Sequence, residues 1–323
     1  MYENMLPVFG DGLVSFRSGG QDFCPPLSEM VRDGYRIRRR GERAVKIGVS
    51  LPPAFLAGKA MTEHQRKMME SSGGADGFLR RLKKAGVSSV ELRAIRPGTA
   101  PEEVREAVRA ATEAGLSLTV HGALKDEPAE LFWGRMEPVL DVQPALTVTV
   151  HSAGDRETTL MLLRRMAEYA AFRFPEAKLA LENNRSKKGD NMDLVECFGV
   201  MKTLSILECP NVGACWDFGH YYWDRLTHPA QLPDELPPEG FLRRAVHTHI
   251  HAVENDTTHF PLTTGQLPLE EFVRALSGAG YTGVYNLEPE PERWDEERDA
   301  AEEIIRSAEL LVEMLRKIGG DGQ

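Results

Sequence analysis

Cysteine is scarce: Cys24, Cys197, Cys209 and Cys215 are the only four in 323 residues, with no CxxC pair and no regular spacing. Nothing in this pattern demands a disulfide or a zinc finger, and it reads as reduced thiols in a cytosolic protein. Long apolar runs are missing too. No stretch approaches 18 apolar residues, and the opening MYENMLPVFGDG has neither a basic nor an apolar leader region, so neither a membrane span nor a signal peptide is expected. Basic residues are outnumbered, 39 against 49, giving a net charge of -10. Such a balance repels polyanions and argues against nucleic acid as a partner. A glycine-rich phosphate turn is also lacking after the first apolar run, where SLPPAFLAG stands, against a dinucleotide-binding sheet.

What is present is ordinary globular material, 41% hydrophobic and 27% charged, enough for a sizeable core. Residues 1–44 are rich in Gly, Pro and Arg without a sustained period. They read as an irregular N-terminal extension and a candidate interface arm for a homo-oligomer. The run from Arg32 to Lys46 holds seven basic residues against two acids, which suits either a solvated linker or a phosphate or partner contact.

From residue 45 to 323 short β-like runs alternate with amphipathic helical patterns. The runs are VKIGVSL (45–51), SSVELRAI (88–95), LSLTVHGAL (116–124), ALTVTVHSA (145–153), KLALENN (178–184), VGACWDFGH (212–220), AVHTHIHAV (245–253) and GVYNLEPE (283–290). Helix signals lie between them: Thr99 with Glu102 as a capping box, Pro268 in a first turn, and a final apolar face through Ile304, Ala308, Leu311 and Leu315. Eight strands, each followed by a crossover helix, predict a parallel sheet closed into an α/β (β/α)8 TIM barrel.

In such a barrel the chemistry sits at the carboxyl ends of the strands, and here these ends are polar. The third run carries His121, the fourth His151, the fifth Glu182 with Asn183 and Asn184, and the sixth Asp217 and His220. The seventh holds His247, His249 and His251, the loop after it His259, and the eighth ends in Glu288. Three carboxylates and several imidazoles in one mouth need a cation among them. Mixed carboxylate and imidazole donors suit Mn²⁺, Mg²⁺ or Co²⁺, and an imidazole-rich site suits Zn²⁺. Trp133, Trp216 and Trp223 suit either packing or a sugar pocket. Arg156, Arg185, Lys187 and Lys188 follow strand ends and suit either exposed helix starts or a phosphate contact.

The ordered segments VHGA, TVHSAG, LALENN, CWDFGH, HTHIHAVENDTTHFPL and YNLEPE resemble the xylose isomerase-like barrels, a superfamily of sugar phosphate isomerases and epimerases that also includes endonuclease IV. The resemblance implies that Glu182, Asp217, His249 and Glu288 hold a single metal, as in the ketose epimerases. It implies substrate contacts, or further zinc ligands as in endonuclease IV, for His121, His151, His220 and His259. Two departures from the nuclease pattern stand out. Thr257 occupies the place of an aspartate two residues before His259, and Thr263, Thr264 and Gly265 replace a Gly-Glu-Gly. By position His251 falls at the rim within reach of substrate, and His247 deeper in the core.

The resulting expectation is a metal-dependent isomerase or epimerase of a small keto-sugar, sugar phosphate or related hydroxy-carbonyl compound. Glu182 and Glu288 would move the proton, and Arg156 or Lys187 would neutralise a distal phosphate. The rival is an endonuclease IV-like phosphodiesterase using two to three Zn²⁺. A third class is a barrel that binds without turnover.

Overall fold

The computed structural model describes residues 45–186, 191–232 and 234–320. The N-terminal extension, its arginine-rich run up to residue 44, Cys24, Lys187 and Lys188 lie outside the described residues. The described residues form ten strands: β1 (Lys46–Leu51), β2 (Ser89–Ile95), β3 (Ser117–Gly122), β4 (Thr147–Val150), β5 (Lys178–Glu182), β6 (Val212–Asp217), β7 (Ala245–Ile250), β8 (Ala252–Glu254), β9 (Thr257–Phe260) and β10 (Val284–Leu287). β1 to β7 and β10 close into one barrel in the order β1-β10-β7-β6-β5-β4-β3-β2, every neighbour parallel. The expected (β/α)8 barrel is the observed fold.

These strands read as nearly continuous apolar runs because both faces are covered, by helices outside and by barrel filling inside. β6 is buried throughout, and β5 everywhere but at its first residue. The core therefore lies in two layers. Between sheet and helices pack Leu92, Leu181, Trp216, Phe272, Leu79 and Leu311, including the expected apolar face of the last helix, Ala300–Gly320. Inside the barrel the filling is polar: Ser50, Glu91, His247, His249 and Asn286 are all buried. Among the described residues no helix is long and apolar enough to cross a membrane.

Three local expectations change. Thr99 and Glu102 form no capping box. Pro101 starts the helix Pro101–Glu113 with Ala100 as its N-cap, and Thr99 instead accepts from the Arg96 N–H at 3.1 Å, closing a turn through Gly98. The sixth strand stops at Asp217, because that carboxylate caps the helix Phe218–Thr227 by accepting from the His220 N–H at 2.7 Å. The seventh run is not one strand. β7 ends at Ile250, and β8 and β9 form an antiparallel hairpin beyond it, turning at Asn255 and Asp256, both with positive φ.

Candidate active site

The barrel register brings the predicted donors together. Asp217 stands opposite His249, and His249 opposite Asn286; Glu182 closes β5 and Glu288 follows β10. One donor atom from each of Glu182, Asp217, His249 and Glu288 lies within 4.8 Å of the others, and all four residues are buried. His249 Nδ1 is 3.1 Å from Glu182 and 3.4 Å from Glu288. Around them, His121 reaches Glu288 at 3.3 Å and Glu182 at 3.5 Å, and His151 reaches Glu182 at 3.1 Å.

Several of these atoms have no hydrogen-bond partner despite being buried: both Glu182 carboxylate oxygens, His249 Nδ1 and His220 Nδ1. They are close to one another but not aligned for hydrogen bonding, and orphaned buried polar atoms are costly. A divalent cation between the Glu182 oxygens and His249 Nδ1 would satisfy those atoms, so the quartet fits a metal.

The electrostatics are those of a site that needs a positive charge. Burial would raise the Glu182 carboxyl, but the His249 and His151 charges hold it well below the usual carboxylate range. Asp217 moves the other way: burial raises it, and the His251 ring only partly opposes this. Burial would lower His249, yet Cys215, Glu182, Glu288 and Glu91 push it well above its ordinary value. A proton or a metal must therefore sit between this ring and the carboxylates.

Proton positions follow from groups with only one possible role. The His259 backbone N–H can only donate, so His251 Nδ1, 2.9 Å away, accepts it. The His251 proton then lies on Nε2, facing Asp217 at 3.1 Å. Both ring nitrogens of His251 are thus engaged. The Glu288 carbonyl can only accept, so His259 Nδ1 donates to it at 3.2 Å. That leaves His259 Nε2 as acceptor for His220 Nε2 at 3.3 Å. Burial holds His220 and His259 well below the ordinary imidazole range, so both rings are neutral. His220 Nδ1 consequently turns a lone pair toward Asp217 at 3.2 Å and Glu182 at 3.7 Å.

Comparison with known proteins gives the arrangement its context. The family described as xylose isomerase-like TIM barrel matches residues 79–311. The chain belongs to that family. Solved structures similar to it include D-psicose 3-epimerase from Clostridium cellulolyticum H10, at 15% identity over 84% of this chain and 98% of that one, with a TM-score of 0.57. The 3-keto-D-glucoside 4-epimerase YcjR from E. coli matches at 15% identity over 83% and 99%, TM-score 0.56. D-allulose 3-epimerase from Methylomonas sp. matches at 14% identity over 83% and 97%, TM-score 0.54. The uncharacterized protein MJ1188 of Methanocaldococcus jannaschii is 33% identical over 85 residues, 24% of this chain. The chain spans about a third of that relative's length, 32%.

Within this xylose isomerase-like barrel not every expected site residue joins the cluster. His251 is not at the rim but 1% exposed, because Gly219 lets its ring lie against the helix that starts at Phe218; a Cβ at 219 would collide with it. Arg156 stands apart, its guanidinium bonded to the Asp193 carbonyl and Thr203. Trp133 and Trp216 are packing residues, the first donating to the Met166 carbonyl at 2.9 Å and the second stacked among Phe218 and Phe272. Trp223 donates to the Asp256 carbonyl at the hairpin turn. His247 is the hydrogen-bonded core histidine expected of it.

One residue of the site was missed. Glu91, in the middle of β2 and 0% exposed, accepts from Ser50 at 2.5 Å, His247 at 2.9 Å, His249 at 3.1 Å and Asn286 at 3.3 Å. It holds the Nε2 side of His249, so that Nδ1 faces Glu182 and Glu288. The signal was an acid between Val90 and Leu92 inside a strand, where a buried charge requires partners.

Proposed function

We propose that this chain is a metal-dependent isomerase or epimerase of a small keto-sugar, sugar phosphate or related hydroxy-carbonyl compound. The single observation that carries the reading is the buried quartet Glu182, Asp217, His249 and Glu288, with its unsatisfied donor atoms turned toward one another. The fold shared with proteins named as sugar epimerases supports it. The quartet would hold one divalent metal, Mn²⁺, Mg²⁺ or Co²⁺. When bound, such an ion supplies a Lewis acid that polarises a carbonyl and acidifies the adjacent C–H.

The chain's own groups do the rest. Glu182 on β5 and Glu288 after β10 are separated around the barrel by β6 and β7, so they approach a bound substrate from different sides. One carboxylate takes the proton from carbon, and the other returns a proton at the neighbouring carbon or the opposite face. His220 Nδ1 presents a lone pair that accepts from a substrate hydroxyl. His121 and His151, flanking Glu182, orient substrate oxygens. Hydrolysis with two to three Zn²⁺ would draw on two neighbouring groups, His121 and His151 with Glu182, and His220 and His251 with His259; in the second group both His251 ring nitrogens are already engaged.

The test is exchange of a substrate α-proton with deuterium from solvent, followed by NMR over a panel of ketoses and ketose phosphates with Mn²⁺, Mg²⁺ or Co²⁺ supplied. Metal-dependent exchange is expected, and Glu182→Gln should lower it by at least a hundredfold. No exchange with any combination would overturn the reading.

A further inference from the structure

Glu182 is followed by Asn183, Asn184 and Arg185, and the Arg185 guanidinium returns over the barrel mouth to donate to Thr258 Oγ1 at 3.0 Å. Arg293, in the short helical turn Pro291–Arg293 after β10, donates to the same oxygen at 3.4 Å. Thr258 is fully buried and adjacent to His259. Two guanidiniums therefore converge on one neutral hydroxyl beside the donor cluster. Arg293 is answered by Glu290, which also faces Arg93 at 3.7 Å. Among the described residues no carboxylate oxygen lies within 4.0 Å of the Arg185 guanidinium, which bonds to Thr258, while Glu290, Asp217 and Asp224 act on its charge from farther away.

Like charges gathered in this way repel each other and are partly desolvated: burial and then the Arg293 charge pull Arg185 below its ordinary range. Arginine forks match the oxygens of phosphates and carboxylates, and such bonds are the strong ones. We propose that Arg185 and Arg293, gathered on Thr258, form a subsite for an oxyanion carried by the substrate, a phosphate monoester or a carboxylate. The subsite rests on the reading of the barrel mouth as a substrate site. It makes the substrate an anionic hydroxy-carbonyl compound rather than a neutral sugar. It also moves the anion contact from Arg156, which is bonded to the chain at Asp193 and Thr203.

The experiment has two arms, both on the full metal-loaded chain. In the first, inorganic phosphate and acetate are titrated calorimetrically into the unmodified protein, Arg185→Ala, Arg185→Lys and Arg293→Ala, each checked by circular dichroism. At least one anion should bind, and its Kd should rise at least tenfold in Arg185→Ala and less in Arg185→Lys; which anion binds distinguishes phosphate from carboxylate. In the second arm, the ratio of kcat/KM for an anionic over the matching neutral ketose, read by deuterium exchange, should fall at least tenfold in Arg185→Ala. Anion binding that is absent, or equal in all four proteins, overturns the subsite, as does an unchanged ratio. If no ketose exchanges but anion binding depends on Arg185, the proposed reaction fails and the subsite stands.

Discussion

Glu91 shows how a residue outside the donor quartet can govern it. Four donors converge on one buried carboxylate, and an amide there would set an N–H₂ against at least one of them. Glu91→Gln should therefore weaken divalent metal binding by about 10- to 100-fold, the usual effect of losing the group behind a metal-binding histidine. It should also cost roughly 1–3 kcal/mol of stability through the unpaired donors. A calorimetric Mn²⁺ titration and a urea melt check the two effects separately, and affinity within threefold of the parent would show that His249 does not need this partner. The strand-end placement of the quartet was legible because the apolar runs that carry it are easily seen, and its choice from among the neighbouring histidines came from the resemblance to the xylose isomerase-like barrels. Glu91 was not, since a single acid within VELRAI looks the same whether it faces solvent or the barrel axis. Its meaning depends on His247, His249 and Asn286, which lie more than 150 positions away in the chain.

At the level of elements, strand ends and helix starts do most of the positioning. Asn183 exchanges hydrogen bonds with the Asp217 backbone at 2.8 and 3.1 Å, tying β5 to β6 where their carboxylates emerge. One turn beyond His220, Asp224 accepts from the Ser186 N–H at 2.8 Å, tying the loop after β5 to the helix Phe218–Thr227. Burial pushes the Asp224 carboxyl up to about 7. The folded chain therefore binds a proton there that the unfolded chain releases near pH 4. Stability from this group is present at low pH and lost as pH rises from about 4 to 7, so the slope is negative across that window. Asp224→Asn keeps the acceptor oxygen and removes the titration. Urea melts of the chelator-treated protein should show the variant gaining on the parent as pH rises to about 7 and holding that margin above it. A constant difference across the window would refute the raised carboxyl. Alternation of strand and helix was readable in advance, yet the β8–β9 hairpin was hidden within HTHIHAVENDTTHF. Its apolar and histidine pattern continues that of β7, and only Asn255-Asp256 marks the reversal.

For the whole molecule, the closed barrel follows from eight alternating units because each parallel strand must be covered on both faces, and that pattern is written across the chain. The ion that the mouth would hold is not written there, because carboxylate and imidazole donors are shared by several metals. Its consequence for stability can still be argued. β5, β6 and β10 each deliver a buried carboxylate to one point, and without a cation their mutual repulsion is offset only by protons on rings such as His249. An ion bound by the folded chain and not by the unfolded one adds RT ln(1 + [L]/Kd), about 2.7 kcal/mol at a hundredfold excess over Kd. Chelation should therefore lower Tm by several degrees, and Mn²⁺, Mg²⁺ or Co²⁺ should restore it with one equivalent bound by elemental analysis. Asp217→Asn and Glu288→Gln should each remove most of the metal-induced rise, whereas Arg156→Ala, bonded away from the cluster, should retain it. Because the ligands must be deprotonated, the rise should shrink as pH falls into the acidic range. A Tm indifferent to chelator and metal alike would overturn the proposed cation at the buried quartet, and two to three equivalents of zinc would turn the assignment toward hydrolysis.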